Sequence, residues 1–149
     1  MNNHFKFNFK LETVLRLRSD KTEEAKIELQ TIIRKRIEKE ELIEAEKLKL
    51  INHNKTRSKY KKLEEIQEFY YHKEFVGLEI KRFQMELDNL LDIESLKRIK
   101  YNEALKEEKV IQNLKEKKKS EFIAEIDRKE QLELDDIALR QYSNKMTNV

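Results

Sequence analysis

Of 149 residues, 33 are Lys or Arg and 30 are Asp or Glu, while Gly occurs once and Pro and Cys not at all. With 42% charged against 38% hydrophobic residues, too few apolar positions remain for a compact core, and folds that need tight turns (sheets, barrels, doubly wound α/β folds) are excluded. What remains is an elongated all-α protein, with disorder as the competing reading; the seams and the reversal read below make it an antiparallel two-helix coiled-coil hairpin, a rod.

The opening residues Met1-Asn2-Asn3-His4-Phe5-Lys6 lack the apolar stretch of a secretory signal, and no run approaches 18 apolar residues, so a soluble, cytoplasmic protein is expected. An extended arm is expected over residues 1–9, because Phe5, Phe7 and Phe9 alternate with period two and no second strand exists to pair with them. Three exposed phenylalanines are costly in water, so the arm either folds back on the helices or docks on a partner.

Helix 1 is expected over about residues 10–55. Steps of four and three from Leu11 reach Leu15, Arg18, Thr22, Ala25, Leu29, Ile32, Arg36, Lys39, Ile43, Glu46 and Leu50, and 7 of these 12 positions are apolar. Seven basic residues and no acidic one then fall between Lys47 and Leu63, with Asn52, Asn54, Thr56 and Ser58 among them. Unbalanced charge and poor helix formers place the reversal at about residues 54–65. Two parallel chains forming a dimer are the alternative, since no strong breaker is present.

Helix 2 is expected over about residues 66–142, followed by a frayed tail at 143–149. From Val76 the same steps reach Ile80, Phe83, Leu87, Leu90, Glu94, Lys97, Tyr101, Ala104, Glu108 and Ile111, with 8 of 11 apolar. Past Ile111 the phase slips, and Ile123, Ile126, Leu134 and Ile137 are the next apolar set. At roughly 1.5 Å per residue the arms span about 70 and 115 Å. The whole chain is expected to be one such domain.

Catalytic constellations are not found in the sequence. A chain whose one glycine is Gly77 holds no GxxxxGK[ST] or GxGxxG phosphate cradle. His4, His53 and His72 are too distant in sequence for a local metal pair, so no metal and no cofactor are expected. Carboxylate pairs such as Asp135/Asp136 lie on solvated helix faces, where nothing desolvates them for acid–base work. The protein is read as a non-enzyme. The basic stretch around Lys55, Arg57, Lys59 and Lys61 suits counterion release, yet a net charge of +3 is small for a dedicated nucleic-acid binder, and nucleic acid is a minority reading.

Three stretches carry a resemblance. They are Phe5-Lys6-Phe7-Asn8-Phe9-Lys10-Leu11-Glu12-Thr13-Val14-Leu15-Arg16-Leu17-Arg18, Ile66-Gln67-Glu68-Phe69-Tyr70-Tyr71-His72-Lys73-Glu74-Phe75-Val76, and Glu133-Leu134-Asp135-Asp136-Ile137-Ala138-Leu139-Arg140-Gln141-Tyr142. In order, spacing and total length they resemble the FliJ family, the rod-shaped cytoplasmic component of the bacterial flagellar type III export apparatus. The resemblance implies a coiled-coil stalk, peripheral at the inner face of the cell membrane at the flagellar base. Such a stalk enters the export ATPase hexamer with its terminal end, promotes ring assembly and activity, and presents its tip to the export gate membrane protein; export chaperones are further partners. On that basis Phe5, Phe7, Phe9, Arg16, Arg18, Asp135, Asp136 and Arg140 are candidates for the ATPase contact. Lys61, Lys62, Phe69, Tyr70, Phe75 and Val76 are candidates for the gate contact. A generic coiled-coil adaptor or structural rod is the alternative.

Overall fold

A computed structural model describes residues 5–148. His4, the first residues of the expected arm and Val149 lie outside that range. Two long helices hold most of the described chain: α1, Glu12–Lys55, and α2, Leu63–Thr147. A single turn of 3₁₀ helix, Arg57–Lys59, lies between them. No strand forms among the described residues, as the all-α hairpin reading requires.

Inter-residue contacts group the chain into two units, Met1–Asp20 with Leu105–Val149, and Lys21–Ala104, where one domain is expected from the sequence. Each helix contributes a segment to each unit. In a two-helix layer every contact is made with the facing turn, so no central core ties distant segments together.

In the unit Lys21–Ala104, α1 and α2 run antiparallel. Lys97 and Lys100 reach Glu28 at 2.9 and 3.1 Å, Arg36 reaches Glu94, Lys39 reaches Glu86 at 2.6 Å, and His53 meets Phe69. As the α1 number rises the α2 number falls, which is the antiparallel signature. Ala25, Leu29, Ile43, Val76, Ile80 and Ala104 are buried along the seam. Charged residues occupy the same stripe. Glu94 is buried, accepting from Arg36 Nε at 2.5 Å and from Arg98 at 3.0 Å, and Arg36 also bonds Glu40 at 3.0 Å. Because the stripe is only one side chain wide, these charges bury their stems and meet a counter-charge at its rim.

The reversal uses neither glycine nor a left-handed backbone conformation; no described residue has positive φ. α1 ends where Thr56 turns its hydroxyl back to the His53 carbonyl at 2.7 Å and its amide to the same oxygen at 3.0 Å. The 3₁₀ turn follows, and Tyr60 takes an extended conformation (φ −96°, ψ 122°) that redirects the chain into α2. Arg57 braces this turn, donating to the Tyr60 carbonyl and the Tyr70 hydroxyl, each at 3.4 Å.

In the other unit, Phe9, Leu15 and Ile111 are buried together, with Phe7, Val14 and Leu114 packed against them. Lys115 pairs with Glu12 at 2.9 Å, and Arg18 donates to the Glu107 carbonyl at 2.9 Å, again antiparallel. Residues 5–9 form the non-helical arm, and it folds back on α2. Two expectations are corrected here. The apolar phase past Ile111 runs through Leu114, Phe122 and Ile126, while Ile123, Leu134 and Ile137 are exposed. The partner at that level is the arm, and Phe7 selects Phe122, with ring centroids 5.5 Å apart. Nor does helix end at 142: α2 continues to Thr147, whose hydroxyl bonds the Ser143 and Asn144 carbonyls at 3.1 and 3.0 Å. Ser143, Asn144 and Thr147 are weak helix formers, but no Gly or Pro follows 142 to break the backbone hydrogen-bond ladder, so the helix runs on.

Candidate functional site

The candidate residues fall on two surfaces, one in each unit. In the first, Phe9 is buried, Phe7 is half-buried on Phe122, and Phe5 is exposed. A cleft of about 760 Å³ opens between the arm and α2, walled by Phe7, Phe9, Leu11, Leu114 and Phe122, with Lys118, Glu121 and Glu125 at its edges. Arg128 donates to Glu125 at 2.7 Å, and this bond holds the Glu125 carboxyl below the usual carboxylate range. Arg16 is exposed, and Arg18 is occupied by its bond to Glu107.

From residue 127 to residue 148 every position is exposed. This segment carries Leu132, Leu134, Ile137, Leu139, Tyr142 and Met146 on an α-helix that nothing among the described residues covers. Asp135 accepts from the Gln131 amide at 3.1 Å, while Asp136 and Arg140 lie bare on the surface. The sequence reading missed Phe122, the anchor of the arm. Its signal was present: the steps of four and three that reach Ile111 go on to Lys115, Lys118 and Phe122.

The second surface adjoins the reversal. Phe69 is buried, stacked on His53 with centroids 4.2 Å apart and touching the rings of Tyr60 and Tyr70. Val76 is buried in the seam. Lys61, Lys62, Tyr70 and Phe75 are exposed, so these four are the members of the set that a partner can reach without opening the helices. The guanidinium of Arg57 lies over the Tyr70 ring, 5.7 Å from its centroid, and its bond to the phenol lowers the Tyr70 pKa. His53 and His72, unrelated in sequence, meet edge to face at 4.6 Å because the reversal folds one helix onto the other. His53 Nε2 lies 3.2 Å from the Phe69 carbonyl. Among the described residues no group of three His, Cys, Asp or Glu is placed to hold a metal ion.

These features define a class: an all-α protein of two antiparallel, coiled-coil-like helices whose exposed side chains are presented on helix faces. No described helix is long and apolar enough to cross a membrane. The chain belongs to the FliJ family, since the family model described as Flagellar FliJ protein matches residues 7–147. No curated protein and no solved structure matches it. Membership makes the chain a component of the flagellar export apparatus.

Proposed function

We propose that this chain is a non-enzymatic stalk of the flagellar export apparatus. In this reading it binds the export ATPase ring, promotes its assembly and activity, and couples it to the membrane export gate. One observation carries the proposal: α2 runs bare from residue 127 to 147 with six large apolar side chains exposed. An uncovered helix of that length retains its apolar surface for a partner. The stretch from Glu121 to Asp136, which overlaps the start of this segment, holds seven acids against two basic residues, which favours a basic lining on the partner and sets the direction of approach. Phe5, Arg16, Asp135, Asp136 and Arg140 contact the ring, while Phe7 holds the arm on Phe122 and Phe9 anchors it beside Leu15 and Ile111. Arg18 fixes the adjoining turn of α2.

At the other surface Lys61, Lys62, Tyr70 and Phe75 meet the gate, with Phe69 and Val76 supporting them from within the seam. Export chaperones use the same apparatus and are further partners. The test is the rate of ATP hydrolysis by the export ATPase, titrated with this chain where the ring is only partly assembled. A dose-dependent rise with more hexamer is expected. Asp135→Lys, Asp136→Lys and Arg140→Glu together should abolish the rise while leaving helix content unchanged. No rise with the wild-type chain, and no co-migration, contradicts the proposal.

A further inference from the structure

α2 carries a second apolar stripe that its own chain does not use. Steps of four and three from Tyr71 reach Phe75, Leu78, Arg82, Met85, Asn89, Asp92, Leu96 and Ile99; six of these nine positions are apolar, a higher proportion than along the α1 seam. The seam holds Val76 and Ile80, and Leu78 lies about 200° around the helix from Val76, so the second stripe faces away from α1. Its six apolar side chains are 55–71% exposed. Single exposed apolar residues are ordinary on any surface, whereas a row of period 3.5 along eight turns of helix is the pattern of a contact with another helix.

We propose that this stripe pairs with the same stripe of a second copy of the chain, antiparallel, about a two-fold axis beside position 87. The polar members of the stripe decide both partner and register. In this register Leu78 faces Leu96 of the other copy, Phe75 faces Ile99, and Arg82 faces Asp92. The two-fold makes each pairing twice, as an isologous contact must. Asp92 has no ion-pair partner of its own chain among the described residues. Arg82 has only local, solvent-exposed ones, Glu79 at 3.4 Å and Glu86 at 3.9 Å. Sliding the second copy by one heptad, which moves the axis half a heptad toward the C-terminus, would set Arg82 against Ile99 and Phe75 against Lys106, losing both kinds of match. Parallel packing would set Arg82 against Arg82 and Asp92 against Asp92, which repel. Beside the axis, Glu86 is neutralised by Lys39 at 2.6 Å, while Asp88 faces its own copy. Phe75 also belongs to the proposed gate contact, so the dimer and the gate exclude each other at that residue. The inference otherwise rests on the stripe alone and stands whether or not the ATPase is the ring partner.

Sedimentation equilibrium of the intact chain, with circular dichroism as the check on helix content, tests this directly. The wild-type chain should sediment as a monomer–dimer equilibrium. Leu78→Glu with Leu96→Glu should abolish the dimer at unchanged helix content. Arg82→Glu and Asp92→Arg should each weaken it roughly tenfold or more, the pair combined should restore it, and Asp88→Asn should tighten it. The chain lacks cysteine, so oxidation reads the register: Leu78→Cys mixed with Leu96→Cys should give a disulfide-linked dimer, and Leu78→Cys alone should not. A wild-type chain that stays monomeric at its highest soluble concentration overturns the proposal and leaves the stripe to a different protein. A self-disulfide of Leu78→Cys, or no rescue by the charge exchange, overturns the antiparallel register and with it the proposal.

Discussion

Ile43 and Ile27 place the same side chain on the same helix, one inside the seam and one outside it, so truncating each to Ala isolates packing from composition. Ile43 is 4% exposed and Ile27 54%. The substitution removes about three carbon groups, each contributing about 0.8 kcal/mol when fully withdrawn from water. Scaled by the buried fraction, the loss is about 2.3 kcal/mol at Ile43 and about 1.1 kcal/mol at Ile27. Alanine's better helix propensity returns about 0.4 kcal/mol at both sites, leaving about 1.9 and 0.7 kcal/mol. The difference, about 1.2 kcal/mol, does not depend on that correction, and any cavity left unfilled adds to Ile43 only. For a chain of this size, thermal unfolding followed by far-ultraviolet circular dichroism should therefore fall by about 4–8 °C for Ile43→Ala and about 1–3 °C for Ile27→Ala. Equal losses, or the larger one at Ile27, would refute the antiparallel seam as the source of stability.

Gly77 sits inside α2, and a Cβ built there meets nothing within 4 Å; Gly77→Ala should stabilise the chain by about 0.8–1 kcal/mol in a urea titration. Hydrogen bonds from Lys97 and then Lys100 hold the Glu28 carboxyl below its ordinary value near 4.5, and a bond from Lys39 does the same for Glu86. Carboxylates depressed in the folded state stabilise it above the unfolded pKa, so this stability is full above about pH 5 and is lost as pH falls through the lowered values. Glu28→Gln should flatten that acid limb in a pH series of unfolding midpoints. Phe7→Ala should release the arm from Phe122 without unfolding the helices, read as faster hydrogen exchange confined to residues 8–14.

The period of the sequence carried most of the fold. The steps from Val76 land on buried or half-buried positions at every residue through Ile111, including Glu94, Lys97 and Glu108. Those from Leu11 do so from Leu15 to Leu50, with Arg36 and Lys39 among them. Periodicity is a geometric property of the helix, so it located these charged residues in the seam where hydrophobicity would have left them outside. What the period could not supply was pairing between segments. That His53 meets His72, or that Phe7 chooses Phe122 over the adjacent and equally apolar Ile123, follows from where the reversal and the arm set the register. The turn was legible as a run of uncompensated basic charge, but its mechanism was not. Thr56, the 3₁₀ turn and an extended Tyr60 do together what glycine does elsewhere, and none of the three is a strong turn signal alone. The candidate sites divide in the same way: Phe9 and Phe69 share residue type with Phe5 and Phe75, and only their neighbours show which are buried.

Hydrogen exchange of the chain with and without the assembled export ATPase ring bears most directly on the proposed stalk. Backbone amides from residue 127 to 147 should become protected on binding, together with the arm at Phe5 to Phe9, while the stripe from Tyr71 to Ile99 keeps its exchange rates. Binding that leaves residues 127–147 exchanging as in the free chain would contradict the account.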